Sequence, residues 1–225
     1  MARRNEHSRD EIRSIALATA ERIAAAEGYA GLSARKVAAA IGYTVGTLYL
    51  LFENLDDLIL QINGRTLDQL RACLEAATPP DERCDPEKTL LALARAYIAY
   101  AEAESPRWNM LFEYSAGKAN LPEWYNHKLE HVFGLVEVAL RPLTRDDAEA
   151  RYTARVLWAG VQGICTLKIR QRMDLADGQR AEEMTDMLIR NFLCGLVTNH
   201  PTCATQRSCK PETHDVARQN LESHD

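Results

Sequence analysis

The stretch LSARKVAAAIGYTVGTLYLLF, Leu32 to Phe52, decides how this chain is read. Ser33 stands where a helix N-cap belongs, and Val37, Ala38 and Ile41 recur at the spacing of one inward helical face. Gly42 and Tyr43 supply a turn. Thr44 is a second N-cap, and Leu48, Leu51 and Phe52 follow at i, i+3 and i+4 as the anchoring face of a second helix about two turns long. Two short helices joined by a tight glycine-containing turn form the helix-turn-helix pattern, whose second helix enters a DNA major groove while the first braces it.

The outward side of that second helix carries Thr44, Val45, Gly46, Thr47, Tyr49 and Leu50. Small residues permit close approach to a surface, and hydroxyls donate to phosphate oxygens. Val45, flanked by Thr44 and Gly46, is placed for base edges and thymine methyls. From periodicity alone, a capped three-helix core without a ligand is equally open.

Working outward, Ser8 with Glu11 three residues on forms a capping box. Ile12, Ala16, Ala20 and Ile23 then make one apolar stripe of a first helix, from about Ser8 to Glu27, ended by Gly28. Arg3 and Arg4 precede it, either as phosphate contacts or as a frayed terminus. Asn54 caps a fourth helix with Asp56 and Asp57 in its first turn. Its apolar residues run from Leu58 through Leu70 to about Ala77, long enough to act as a rod into a second domain. TPPDERCDP, residues 78–86, reads as a loop.

Past Pro86 the spacing is again helical. One helix carries Leu90 to Ile98, and a short one runs from Pro106 to about Ser115. Another spans about Pro122 to Leu140. The next, expected to be the longest, runs from about Arg145 to Met173, and a final one from about Gln179 to Asn199. The run VLWAGVQGICTLKI, residues 156–169, has Lys168 as its only charge. A helix apolar on most sides needs cover on more than one side, and a second copy of the chain can supply it. The last two helices are therefore expected to pair with their counterparts as a four-helix dimer interface. Residues 200–225 hold few apolar residues. His200, Cys203, Cys209 and His214 match no closed zinc spacing, so an unstructured tail without metal is expected.

The totals bound the reading without deciding it. The 225 residues are 46% hydrophobic and 26% charged, with net charge -5 and pI about 5.7, so global charge weighs slightly against nucleic-acid binding. Residues 1–50 differ, with seven Lys and Arg against five Asp and Glu. No apolar run reaches membrane-spanning length and no signal-peptide pattern opens the chain, so a cytoplasmic location and six reduced cysteines are expected. No phosphate loop, nucleophile elbow or zinc-protease motif is present, and Glu130 and His131, being adjacent, point apart on a helix. A catalytic function and a cofactor are not expected.

From Ser8 to about Leu67 the sequence resembles the TetR family of bacterial transcriptional repressors. The resemblance lies in Gly28-Tyr29, Leu32-Ser33, Val37-Ala38, Ile41-Gly42, and above all Gly46-Thr47-Leu48-Tyr49 followed by Phe52 and Leu58. It implies that Ser33, Thr47 and Tyr49 bind phosphate, that Thr44, Val45 and Gly46 approach the bases, and that Leu48 and Phe52 are core. Leu50 stands where the family often has His or another polar residue. Leu55 stands where it often has a backbone-binding Lys, a charge for which Arg35 and Lys36 are the partial substitutes by position. The second half resembles one subgroup of family regulatory domains at Tyr97–Phe112 and at Trp158-Ala159-Gly160-Val161-Gln162-Gly163, with Gln162 where the subgroup has His. That resemblance implies an effector pocket among these helices.

The expectation is thus an all-α protein. A helix-turn-helix domain would span residues 8–67 (motif about 32–51), and a regulatory and dimerisation domain residues 68–199. It would bind a DNA operator as a homodimer, with a small apolar or aromatic effector that releases a repressor. The DNA-contacting set is Ser33, Arg35, Lys36, Thr44, Val45, Gly46, Thr47, Tyr49 and Leu50. The pocket set is Tyr100, Trp108, Phe112, Trp124, His131, Trp158 and Gln162, each of them either pocket wall or ordinary core. A lone amide in an apolar helix needs a hydrogen-bond partner; for Gln162 that is ligand, water or the other subunit. The alternative function is a helical interaction protein that kept the fold without sequence-specific DNA binding.

Overall fold

A computed structural model describes residues 7–78, 85–114, 121–173 and 180–199. They form nine α-helices and no strand. These are α1 (Arg9–Glu27), α2 (Ala34–Ile41), α3 (Val45–Tyr49), α4 (Leu55–Ala77), α5 (Pro86–Ala103), α6 (Ser105–Glu113), α7 (Glu123–Leu140), α8 (Asp147–Ile169) and α9 (Ala181–Asn199). The tail and its Cys and His residues lie outside the described residues. Among the described residues no helix is long and apolar enough to cross a membrane.

The helix starts follow side-chain chemistry. Ser8 and Glu11 make the reciprocal capping box, and Ser33, Thr44, Asn54, Asp85 and Asp146 each accept a first-turn N–H. Gly42 ends α2 at φ 76°, a left-handed conformation that disfavours any residue with a Cβ. The helix expected from Arg145 instead starts after its Asp146 cap and stops at Ile169, two residues before Gln171, which has φ 53°. Its 23 residues are matched by α4, so it is not uniquely the longest. The last helix starts at Ala181, two residues later than expected.

Two apolar cores result. The first packs Ile12, Ala16, Ala20 and Ile23 of α1 against Val37 of α2, Leu48 and Phe52 at the end of the motif, and Leu58, Ile59 and Ile62 of α4. The second gathers α5, α8 and α9 with the far end of α4, at Leu70 and Leu74. Helix α4 therefore belongs to both, and the division expected after residue 67 falls inside it. Helix α6 crosses over as well. Its Met110 is buried in the first core, while Trp108 is buried in the second. Lys168 ties α8 to its neighbours by ion pairs to Glu102 of α5 (3.0 Å) and Glu182 of α9 (2.6 Å).

Candidate nucleic-acid interface and cavity

The motif's outer surface is built from caps whose hydroxyls face two ways. Ser33 Oγ accepts the Lys36 N–H at 3.3 Å, and Thr44 Oγ1 accepts the Thr47 N–H at 3.1 Å. Thr44 and Thr47 hydroxyls also meet each other at 3.0 Å. As an acceptor toward the backbone, the Ser33 hydroxyl retains its proton to donate outward, whereas one proton of the Thr44 and Thr47 pair is used between the two hydroxyls. Tyr49 is 49% exposed and Leu50 71%, so both project from the protein. Val45 is only half exposed and packs partly on the first core, which leaves Thr44 and Gly46 as the open flank. A Cβ built on Gly46 would meet nothing closer than Thr44 Oγ1 at 3.6 Å, an ordinary contact. The fold thus has room for a side chain at 46.

The two basic residues of α2 separate. Lys36 is held by an ion pair with Glu27 at the end of α1, which neutralises its charge. Arg35 is exposed and has no ion pair among the described residues. Leu55 is half-buried against the first core, so the position serves packing.

The second domain carries a half-open cavity of about 470 Å³, within the size range of small-molecule sites. Leu67 and Leu70 of α4 form one wall and Leu111 and Phe112 of α6 another. Tyr125, Leu129, Val132 and Phe133 of α7 face Tyr97 of α5 and Arg155 and Trp158 of α8. A further space of about 50 Å³ adjoins it, sharing Tyr97, Val132, Phe133 and Trp158 with it. The aromatic rings touch in sequence. Trp108 packs on Phe112 at 4.6 Å, Phe112 stacks near Trp158 at 6.4 Å, and Phe133 meets Trp158 edge-on at 5.5 Å.

Of the seven expected pocket residues, Phe112 and Trp158 line the cavity. Trp108 stands behind the wall, with its indole N–H buried and without a partner among the described residues. The amide of Gln162 accepts a hydrogen bond from the Tyr97 hydroxyl, so its partner lies in the same chain. Tyr100 is core, its hydroxyl 3.3 Å from the Thr66 carbonyl. His131 is exposed, and Trp124 lies over Gly64 in a separate outer cleft. Tyr125, Phe133 and Arg155 were not expected. Tyr125, Leu129, Val132 and Phe133 do stand at i, i+4, i+7 and i+8, the signal of one helical face.

Electrostatics mark the cavity as apolar with one pinned charge. Burial pushes the Tyr125 hydroxyl up to about 12 and raises that of Tyr97 further. The Arg155 guanidinium lies 4.6 Å from the Phe133 ring centre and donates to Glu137 Oε1 at 2.8 Å. Among the described residues no group of three His, Cys, Asp or Glu is placed to hold a metal ion.

An exposed helix-turn-helix joined through a shared helix to an all-α domain with an aromatic cavity defines a class, the two-domain helical DNA-binding regulators. Comparison with known proteins narrows it. Residues 16–62 match the model described as bacterial regulatory proteins, tetR family, and residues 90–192 match the tetracyclin repressor-like C-terminal domain. The chain belongs to the TetR family of transcriptional regulators, and is a DNA-binding regulator of that family. Similar solved structures include a protein with unknown function from Rhodococcus sp. RHA1, 20% identical with TM-score 0.68, covering 87% of this chain and 98% of that one. PfmR of Thermus thermophilus, a TetR family regulator, is 19% identical with TM-score 0.53 and covers 80% and 97%. The multidrug binding protein EbrR, complexed with imidazole, is 26% identical with TM-score 0.58 and covers 81% and 94%. No curated protein matches the sequence.

Proposed function

We propose that the protein is a dimeric, ligand-released repressor. In each protomer α3 enters a major groove of a pseudo-palindromic operator. Ser33, Thr47 and Tyr49 hold phosphates there, with Arg35 as the nearby cation. Thr44, Val45 and Gly46 approach the bases, and Leu50 supplies an apolar edge. A small, largely apolar or aromatic molecule occupies the cavity. Its binding favours a state in which the two α3 helices no longer match successive grooves about 34 Å apart.

The observation that carries this reading is the position of α6. Leu111 and Phe112 line the cavity, while Met110, the residue just before them, is buried in the first core. A molecule entering the cavity displaces the helix whose other face helps build the DNA-binding domain. EbrR, a multidrug binding protein solved with a small aromatic ring, supports the same use of the fold.

The test is selection of bound sequences from random DNA by the full chain, repeated with a panel of aromatic and aliphatic small molecules. A palindromic consensus weakened by members of the panel is the expected result. Failure to enrich any sequence, at low salt as well as high, would favour the interaction protein without DNA specificity.

A further inference from the structure

Helix α3 has five residues, too few to be stable without outside support. Thr44 secures its N-terminal end. At the other end the Leu50 N–H reaches the Gly46 carbonyl and the Phe52 N–H reaches the Leu48 carbonyl, at 3.2 and 3.0 Å. The carbonyls of Leu50 and Leu51 lie past these bonds, at the negative end of the helix. Two arginines of α1, one turn apart, take them. Arg9 donates to the Leu50 carbonyl and Arg13 to the Leu51 carbonyl.

Arg13 is itself fixed from three sides. Its guanidinium lies over the Phe52 ring, 4.9 Å from the centre, and its second terminal nitrogen donates to Gln61 Oε1 of α4 at 2.7 Å. Gln61 Nε2 donates in turn to Asp57 Oδ1 at 2.7 Å. The other Asp57 oxygen accepts the Glu53 N–H at 3.0 Å, and the Asp57 N–H is capped by Asn54. Arg13 thus joins α1, the end of α3 and the first turns of α4 through one planar group with both arms committed. A guanidinium suits this task because its donors form a rigid fork.

We propose that Arg13, oriented by Gln61, is a positioning residue of the DNA interface. It sets the depth and tilt of α3 by holding the Leu51 carbonyl just past its C-terminal end, and it acts without touching DNA. The proposal rests on the reading that α3 is the helix that enters DNA. The sequence hides this role, since an arginine beside the apolar stripe of the first helix looks like any solvated charge.

The test compares the full-length wild type with Arg13→Leu, Arg13→Lys and Gln61→Leu on a DNA sequence selected by the wild type. Losing a hydrogen bond to a charged donor should weaken binding about tenfold for Arg13→Leu. The slope of log affinity against log salt should stay unchanged, because no phosphate contact is removed. Gln61→Leu should weaken binding although it removes no charge, and the double variant should be less than additive. Arg13→Lys should recover part of the loss. Hydrogen exchange gives a readout free of DNA: amides of residues 45–52 should exchange faster in Arg13→Leu, with those of α5, α8 and α9 unchanged. A salt slope shallower by about one contact would make Arg13 a phosphate ligand and overturn the proposal. Unchanged exchange at residues 45–52 would overturn it too. Faster exchange there in a protein whose wild type binds no DNA would refute the reading of α3 instead, and the DNA role of Arg13 with it. Should Arg13→Leu fail to fold, Gln61→Leu and Arg13→Lys carry the same comparisons.

Discussion

Gly46 is a residue the fold does not require. It sits in the first turn of α3, and a Cβ there would make only an ordinary 3.6 Å contact with Thr44 Oγ1, while in a helix interior glycine is less stable than alanine by about 0.5–1 kcal/mol. No neighbour within the fold demands glycine there, which fits the close approach of DNA proposed for this position. Gly46→Ala should therefore leave the folded state as stable or up to about 1 kcal/mol more stable, while lowering operator affinity. Thermal unfolding beside a titration with selected DNA checks both halves, and unchanged affinity would remove Gly46 from the interface. Thr47→Ala and Tyr49→Phe should instead weaken binding by similar factors on every DNA sequence, as loss of a phosphate contact does; a fluorescence titration against matched and mismatched operators reads this. At this scale the helix starts of the candidate interface were legible, because Ser33, Thr44 and Asn54 announce them by their chemistry and the structure shows each of them capping. The state of each charge was not. Lys36 looks like Arg35 in sequence, yet one is neutralised by Glu27 and the other is not.

Helix α6 shows why some elements resist reading from sequence. Successive residues on a helix point about 100° apart, so Met110, Leu111 and Phe112 face three directions. In an amphipathic surface helix two of them would be wasted. Here Met110 fills the first core, Leu111 packs beside Tyr125, and Phe112 meets the aromatic wall. Asn63, fully buried in α4, donates to the Met110 carbonyl at 3.4 Å and fixes the crossing. No periodicity could show that a residue at 110 completes a core built from residues 12–62, since that depends on how the domains dock. Met110→Ala should destabilise the first core by about 2–4 kcal/mol. Because α6 links that core to the cavity, the loss should appear in the unfolding of the DNA-binding helices, followed by hydrogen exchange in α1 and α4. The same docking buries phenols. The hydroxyls of Tyr100 and Tyr125 are each pushed up to about 12 by burial. Between the ordinary tyrosine value near 10 and about 12 the unfolded chain loses protons that the folded chain keeps. Stability from these groups is thus complete below pH about 10 and falls as pH rises toward 12. An alkaline titration should show phenolate absorbance from these side chains rising together with loss of helix; a separate, earlier phenolate rise for Tyr125 in the folded protein would contradict the assigned burial.

Across the whole molecule, the outer face of α8 and α9 is what a single chain leaves unfinished. Tyr152 is 72% exposed and Met187 66%, and Val156 stands exposed on the same side of α8 as Tyr152. Between these larger groups the face is low. Ala159, Gly163, Cys194 and Gly195 are all exposed, and a Cβ on Gly163 or Gly195 would touch nothing within 4 Å. Large residues flanking a shallow strip suit the close approach of another helix pair, and a twofold axis makes the surface complementary to itself. The apolar run 156–169 pointed here because it has too few polar residues for a helix with one face in water. Part of that run is accounted for within the chain, since Leu157, Val161, Ile164 and Cys165 are buried. Its exposed positions, Val156, Ala159 and Gly163, belong to the proposed dimer contact. Met187→Glu places a charge on this face and touches neither core, so the monomer fold should persist by circular dichroism while sedimentation shows the dimer lost. The effect on DNA separates this surface from an incidental apolar patch. Two linked recognition helices gain an effective concentration at the second half-site that a monomer lacks, an advantage of about 10²–10⁴. Met187→Glu should therefore lose about that factor on a two-half-site operator and almost nothing on an isolated half-site. Equal losses on both would mean that the substitution damages α3 rather than the pairing. A wild type that sediments as a monomer at the concentrations used for DNA binding would refute the dimer outright.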